Sequence, residues 1–212
     1  MRRPGWLRSA NLGAVVMFTG LVMDLGEVRV VERTADGVRL HVRTLLTSEV
    51  SPGDSVAVNG VCLTATTVDD GAFAADVMNE TLMRSSLGGA ANDGARVNVE
   101  LPLRPADRLG GHFVQGHVDG LGRVAGWRDD GFARRLRVEP EDPALLRYVV
   151  EKGSIAIDGV SLTVAALDDA GLEVSLIPET LERTNLGGLV EGTVVNLEVD
   201  VLAKYVERLV QR

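Results

Sequence analysis

The chain has 212 residues, 45% of them hydrophobic and only 4% aromatic, with 24 glycines and a formal charge of −8. That length fits one large or two small domains, and an acidic surface of this size repels phosphate backbones, which argues against nucleic-acid binding. With Cys62 as the single cysteine, neither an intrachain disulfide nor a cysteine-rich zinc cluster can form, and a reducing cytoplasm is the expected setting.

In chain order, Arg2 and Arg3 precede an apolar run from Leu12 to Met23 that looks superficially like a secretory signal. The run ends at Asp24 without a small-residue cleavage site and is too short to span a bilayer, so no membrane association is expected. Strands are predicted over about 17–23, 26–34, 37–44, 55–59, 61–68 and 72–78, with a further pairing segment at 95–100. Turn dipeptides separate them at Asp36-Gly37, Pro52-Gly53, Asn59-Gly60 and Asp70-Gly71. A short helix is predicted from Glu80 to a glycine stop at Gly88-Gly89, and a second from Asp142-Pro143 to about Lys152, ended by Gly153. From Val201 to Arg212, apolar residues at 201, 202, 205, 206, 209 and 210 have helical spacing and leave an apolar stripe, the mark of an oligomerisation element.

An internal repeat organises these elements. Ser55–Thr64 (SVAVNGVCLT) aligns with Ser154–Thr163 (SIAIDGVSLT) at an offset of 99, and Glu80–Gly89 (ETLMRSSLGG) aligns with Glu179–Gly188 (ETLERTNLGG) at the same offset. Val97–Glu100 meets Val195–Glu198, and Phe18–Val22 corresponds less strictly to Val114–Val118. A period near 100 is too long for a solenoid and gives two domain-sized units. The reading is all-β: two tandem six-stranded antiparallel Greek-key barrels, at 17–110 and 111–200, followed by a helix at 201–212. Residues 1–16 form an N-terminal extension.

No metal motif, P-loop, dinucleotide fingerprint or nucleophile elbow is present. Cys62 faces Ser161 across the repeat; a lone cysteine in an apolar strand is ordinarily a small buried hydrophobe. Thr64 and Thr163 share strand faces with Cys62 and Ser161, and a matched hydroxyl pair suits a ligand-binding wall. His117 stands where the first copy has Leu21. It reads either as a turn residue or as a base or hydrogen-bond donor beside a cleft. His112 shares the segment, and alternation does not decide which of the two faces a ligand. His41, in a charged strand, reads as a surface residue. Asn59 and Asp158 suit turn chemistry, and Thr81 and Thr180 suit helix entries. Asp200 and Lys204, one helical turn apart, read as a surface pair.

The blocks MFTG at 17–20, NGVCLT at 59–64, GGHFVQGH at 110–117, DGVSLT at 158–163, IPETLER at 177–183 and VNLEVD at 195–200 closely resemble the α-chain type of riboflavin synthase, across about residues 17–207. The resemblance implies a homotrimer in which each barrel binds one 6,7-dimethyl-8-ribityllumazine and active sites lie between subunits. Two such molecules dismutate to riboflavin and 5-amino-6-ribitylaminopyrimidinedione with no cofactor and no metal. Carried over by position, it implies catalytic roles for His117, Ser55, Cys62, Ser161 and Asp200. Substrate contacts would come from Phe18, Thr19, Gly20, Asn59, Thr64, Met78, Thr81, Val118, Lys152, Thr163, Ile177, Pro178 and Thr180. His117 with Ser55 is the expected proton-moving pair, and Cys62 a polar neighbour rather than a covalent nucleophile. Lumazine synthase, the preceding enzyme, is a possible partner. A non-catalytic lumazine- or flavin-binding antenna protein is the nearest alternative. Family chains usually begin at the MFTG block, so Met17 is the expected start and residues 1–16 an artefact.

Overall fold

A computed structural model describes residues 16–69, 71–92 and 94–211, so the expectations for residues 1–15 lie outside the described residues. The first barrel comprises β1 (Asp24–Arg33), β2 (Gly37–Arg43), β3 (Ser55–Val58), β4 (Val61–Asp69), β5 (Ala72–Met78) and β6 (Arg96–Glu100), closed in the order β1-β2-β5-β4-β3-β6. The second comprises β7 (Gly120–Asp130), β8 (Ala133–Pro140), β9 (Ser154–Ile157), β10 (Val160–Leu167), β11 (Leu172–Leu176) and β12 (Val194–Val199), closed as β10-β11-β8-β7-β12-β9. The pairings are antiparallel, and closure leaves no free sheet edge among the described residues.

Alternation along each strand fills the barrels. Val28, Leu40, Val56, Val58, Phe73, Val97 and Val99 occupy the first core, and Ile155, Ile157, Leu172, Val174, Val195 and Leu197 the second. Register shifts fall at matched places, Val28/Val30 with Val124/Gly126 and Ala65/Thr67 with Val164/Ala166. Such bulges bend the strands enough to close a small barrel.

The predicted strand over 17–23 is not one. Gly20, at φ +75, breaks the extended run, and Phe18 instead pairs across to Val114 outside both sheets. The single helix expected over 80–88 is two, α1 (Asn79–Arg84) and α2 (Leu87–Ala90), because Ser85 is extended and the Ser86 amide leaves the helix for Asn196 Oδ1, at 2.6 Å. The second repeat breaks at the same point: α3 (Pro178–Arg183) stops at extended Thr184, a 3-10 turn follows at Asn185–Gly188, and the Asn185 amide donates to Asn98 Oδ1 at 2.8 Å. The helix expected over 142–152 shrinks to a 3-10 turn, Pro143–Tyr148, capped by Asp142; the chain is extended again at Val149 and left-handed at Lys152. α4 (Val201–Val210) follows the second barrel, capped by Asp200, which accepts from the Leu202 amide. Lys204 pairs with Asp119 rather than with Asp200.

The barrels join through two turns placed back to back. Asn59-Gly60 and Asp158-Gly159 have successive positive φ values of 47, 73, 44 and 78, the type I′ hairpin geometry. A Cβ on Gly60 would lie 2.7 Å from the Gly159 amide nitrogen, and one on Gly159 2.6 Å from that of Gly60, so only glycine permits this approach. Around them Asn98 Nδ2 donates to the Asp158 carbonyl at 2.8 Å and Asn196 Nδ2 to the Asn59 carbonyl at 2.7 Å, crossing the interface in both directions. Asp158 accepts from the Asn196 amide, Asn185 Nδ2 and Ser86 Oγ. Burial nevertheless pushes its carboxyl up to about 6, those hydrogen bonds opposing.

Candidate active site

Each barrel is preceded by a short leading segment, 18–20 for the first and 114–116 for the second. The two segments bond to each other, Phe18 N to Val114 O at 2.7 Å and Val114 N to Phe18 O at 3.2 Å. Each then crosses to the opposite barrel. Gly116 O accepts from the Cys62 amide in β4, and Gly20 O accepts from the Ser161 amide in β10, both at 2.8 Å. A Cβ on Gly116 would meet Cys62 Cβ at 2.7 Å, and one on Gly20 would meet Ser161 Cβ at 2.6 Å. The two equivalent positions that carry Cys62 and Ser161 are thus each roofed by the other barrel's leader.

In the first barrel this arrangement frames an open cleft of about 250 Å³, lined by Cys62, Thr81, Arg84, His117 and Val118 among others. Burial pushes the Cys62 thiol up, the Ser55 hydroxyl bonded to it pulls the other way, and Glu198 adds to the rise. A thiol held protonated is a poor nucleophile. Ser55, expected to act with His117, lies within hydrogen-bond reach of Cys62.

In the second barrel, Ser161 Oγ lies 2.7 Å from His112 Nδ1. His112 is buried, and its Nε2 has no partner among the described residues. Burial lowers the imidazole's pKa, and the nearby Asp200 carboxylate opposes that shift. A neutral histidine bonded to a hydroxyl, with a carboxylate in electrostatic reach, can draw a proton through that hydroxyl. Leu21, where the first site has His117, is half exposed beside it.

The remaining predicted site residues fall into groups. Met78 and Ile177 are exposed and equivalent, at the N-termini of α1 and α3, with Thr81, Pro178 and Thr180 in the first turns that follow. Thr64 and Thr163 are exposed strand partners of Ser55 and Ser154. Lys152, also exposed, donates its amide to Val164 O next to Thr163. Phe18 and Asn59 are set apart: Phe18 is fully buried in the seam with Ala57, Val114 and Ala156, and Asn59 is buried in the barrel joint. Thr19 is buried and bonds Glu100. His41 lies outside the cleft, 3.2 Å from Glu32 on the neighbouring strand.

Sequence reasoning left His112 undecided and did not single out Glu100 or Glu198. The signal for the glutamates was their place at the end of a repeated block, VNVE and VNLE.

A lumazine-binding domain model matches the chain twice, at residues 19–102 and 115–200. The chain belongs to that family. Among relatives, the riboflavin synthase of Mycobacterium bovis is 51% identical over 200 residues, covering 92% of this chain and 98% of that one. The riboflavin synthase of Actinobacillus pleuropneumoniae is 42% identical over 193 residues, covering 91% and 89%. Solved structures of the same fold include LumP complexed with 6,7-dimethyl-8-(1'-D-ribityl) lumazine, with TM-score 0.77 at 22% identity over 86% of this chain and 99% of that one. LumP complexed with riboflavin superposes with TM-score 0.79 over the same shares. The lumazine-binding family thus accounts for both repeats.

Proposed function

We propose that the chain is a transferase that makes riboflavin from two molecules of 6,7-dimethyl-8-ribityllumazine, one giving up a four-carbon unit to the other and leaving as 5-amino-6-ribitylaminopyrimidinedione. The observation that carries this reading is the doubling of the site: both barrels keep a hydroxyl or thiol at the same strand position, each under a leader from its twin. A reaction between two identical substrates needs two like cradles. Relatives named as riboflavin synthase match nearly the whole chain, whereas the LumP complexes share only 22% identity, which favours the enzyme over a carrier.

The C7 methyl of the lumazine is acidic because its anion delocalises into the ring, so one proton-moving group suffices. We assign that work to Ser161 with His112, steadied by Asp200, while Cys62, Ser55 and His117 hold and polarise the second ring. Met78, Thr81, Thr64 and Val118 line the first cradle, and Ile177, Pro178, Thr180, Thr163 and Lys152 the second. Most of the acceleration comes from fixing two rings in attack geometry, which is worth roughly 7–11 kcal/mol at best. No cofactor enters this scheme.

The finer parts of the reading are a homotrimer, sites shared between subunits, and a cytoplasmic location. The trimer is supported by α4, whose Leu202, Tyr205, Val206, Leu209 and Val210 are all exposed, an apolar stripe that a neighbouring subunit would cover. A cytoplasmic location agrees with the single free thiol; no described helix is long and apolar enough to cross a membrane. Docking with lumazine synthase would deliver substrate directly. The test is to incubate purified protein with 6,7-dimethyl-8-ribityllumazine alone and follow both products by chromatography. Riboflavin and the pyrimidine in equal amounts are expected; tight binding without riboflavin would make the chain a carrier.

A further inference from the structure

Two buried glutamates lie at matched positions near the ends of equivalent strands, Glu100 last in β6 and Glu198 next to last in β12, and both turn inward to the leaders. Glu100 takes the Thr19 amide on Oε1 at 2.7 Å and the Gly20 amide on Oε2 at 3.0 Å; Thr19 Oγ1 also donates to Oε1, at 2.7 Å. Glu198 takes the Gln115 amide on Oε1 at 2.7 Å and the Gly116 amide on Oε2 at 3.1 Å. Each pair of successive amides converges on one carboxylate because the second residue is a left-handed glycine, at φ +75 in both copies.

We infer that Glu100 and Glu198 are positioning residues, each gripping its own barrel's leader and thereby setting the roof of the opposite barrel's site. The geometry is crossed. Glu198 belongs to the second barrel, yet the Gly116 carbonyl that it fixes receives the Cys62 amide of the first, and His117 follows directly. Glu100 belongs to the first barrel, yet the Gly20 carbonyl that it fixes receives the Ser161 amide of the second. Two acceptor oxygens are required, one per amide. A glutamine offers one acceptor and turns an N–H toward the other backbone N–H. Burial raises the pKa of both carboxyls, Glu198 to about 7, where Asp119 adds to the rise and Lys204 opposes it. An apolar residue in either place would remove that desolvation cost, but would leave two buried amides without partners.

The consequence for turnover rests on the proposed function, but the grip itself does not. Its test is amide hydrogen exchange, read by NMR at Cys62 and Ser161 in the same sample, so that any change in global stability cancels in the ratio. Read above pH 7, where the Glu198 carboxyl is ionised, Glu198→Gln is expected to speed exchange at Cys62 by about tenfold or more relative to Ser161, the scale set by losing a hydrogen bond to a charged group. Glu100→Gln is expected to do the reverse. Glu198→Asp keeps both acceptors but withdraws them by one methylene; it should give the same crossed pattern at smaller amplitude, which keeps the test open if the glutamine variant does not fold. Faster exchange confined to the barrel that carries the substitution, or an unchanged ratio, would overturn the inference, whether or not riboflavin formation is lost.

Discussion

The two barrels match in strand order, bulges, joint and leader, yet differ where a ligand would meet them. Cys62 sits under Gly116 with His117 beside it, and Ser161 sits under Gly20 with Leu21 beside it. The second site alone has a histidine bonded to its hydroxyl, His112. In the joint, Asn59 of the first copy faces Asp158 of the second. What the copies share is what closes a barrel and docks it to its twin. What they do not share is the set of titratable side chains beside each leader, His117 and Cys62 in the first and His112 with Ser161 in the second.

The sharpest way to break this comparison is to remove the proposed base, His112, from the second site. His112→Ala is expected to lower turnover by about 10²–10⁴-fold, the usual contribution of a general base, while the first site still binds lumazine. Because burial lowers the His112 pKa, the base stays unprotonated below the ordinary histidine value of 6.5, and the acid limb of the kcat/KM profile should fall below that value. An acid limb above it, or turnover within a few-fold of wild type, would return the role to His117.

Asp158→Asn makes the joint symmetric. The buried carboxyl titrates at about 6, against 3.8 for the same group in an unfolded chain. A folded-state pKa raised in this way favours the protonated form, so the stability it lends is present below pH 3.8 and is lost as the pH rises through 6. The difference, 6 − 3.8 = 2.2, corresponds to about 3 kcal/mol when the whole interval is crossed. Denaturant unfolding at pH 4 and pH 7 spans most of it, and should show Asp158→Asn gaining about 2–3 kcal/mol on wild type between the two. A flat difference would mean that the carboxylate is solvated or better bonded than its surroundings indicate.

The mildest expected effect is at the thiol. Cys62→Ser makes the first site resemble the second, and turnover should change by less than about tenfold, since a protonated thiol serves as a polar neighbour. A loss of about 10³-fold or more would identify a covalent nucleophile.

The barrels were legible in the sequence because turn dipeptides separate their strands and whole blocks repeat at a nearly constant offset. The leaders were not, since Phe18–Val22 has the composition of a strand while its hydrogen bonds go to residues about 95 and 140 positions away. His112 and His117 could not be separated by alternation because their segment belongs to no strand. Lys204 reads locally as a partner for Asp200, but Asp119, 85 residues earlier, lies closer in space. Side-chain pairing around the candidate site was not legible, because it is decided by contacts between the two repeats.

The most direct test of one substrate per barrel is an equilibrium titration with 6,7-dimethyl-8-ribityllumazine, read by its fluorescence, in the His112→Ala background where turnover is suppressed. Two molecules per chain are expected, with His117→Ala weakening one class of sites and Ser161→Ala the other. One molecule per chain, or both substitutions weakening the same class, would contradict the account.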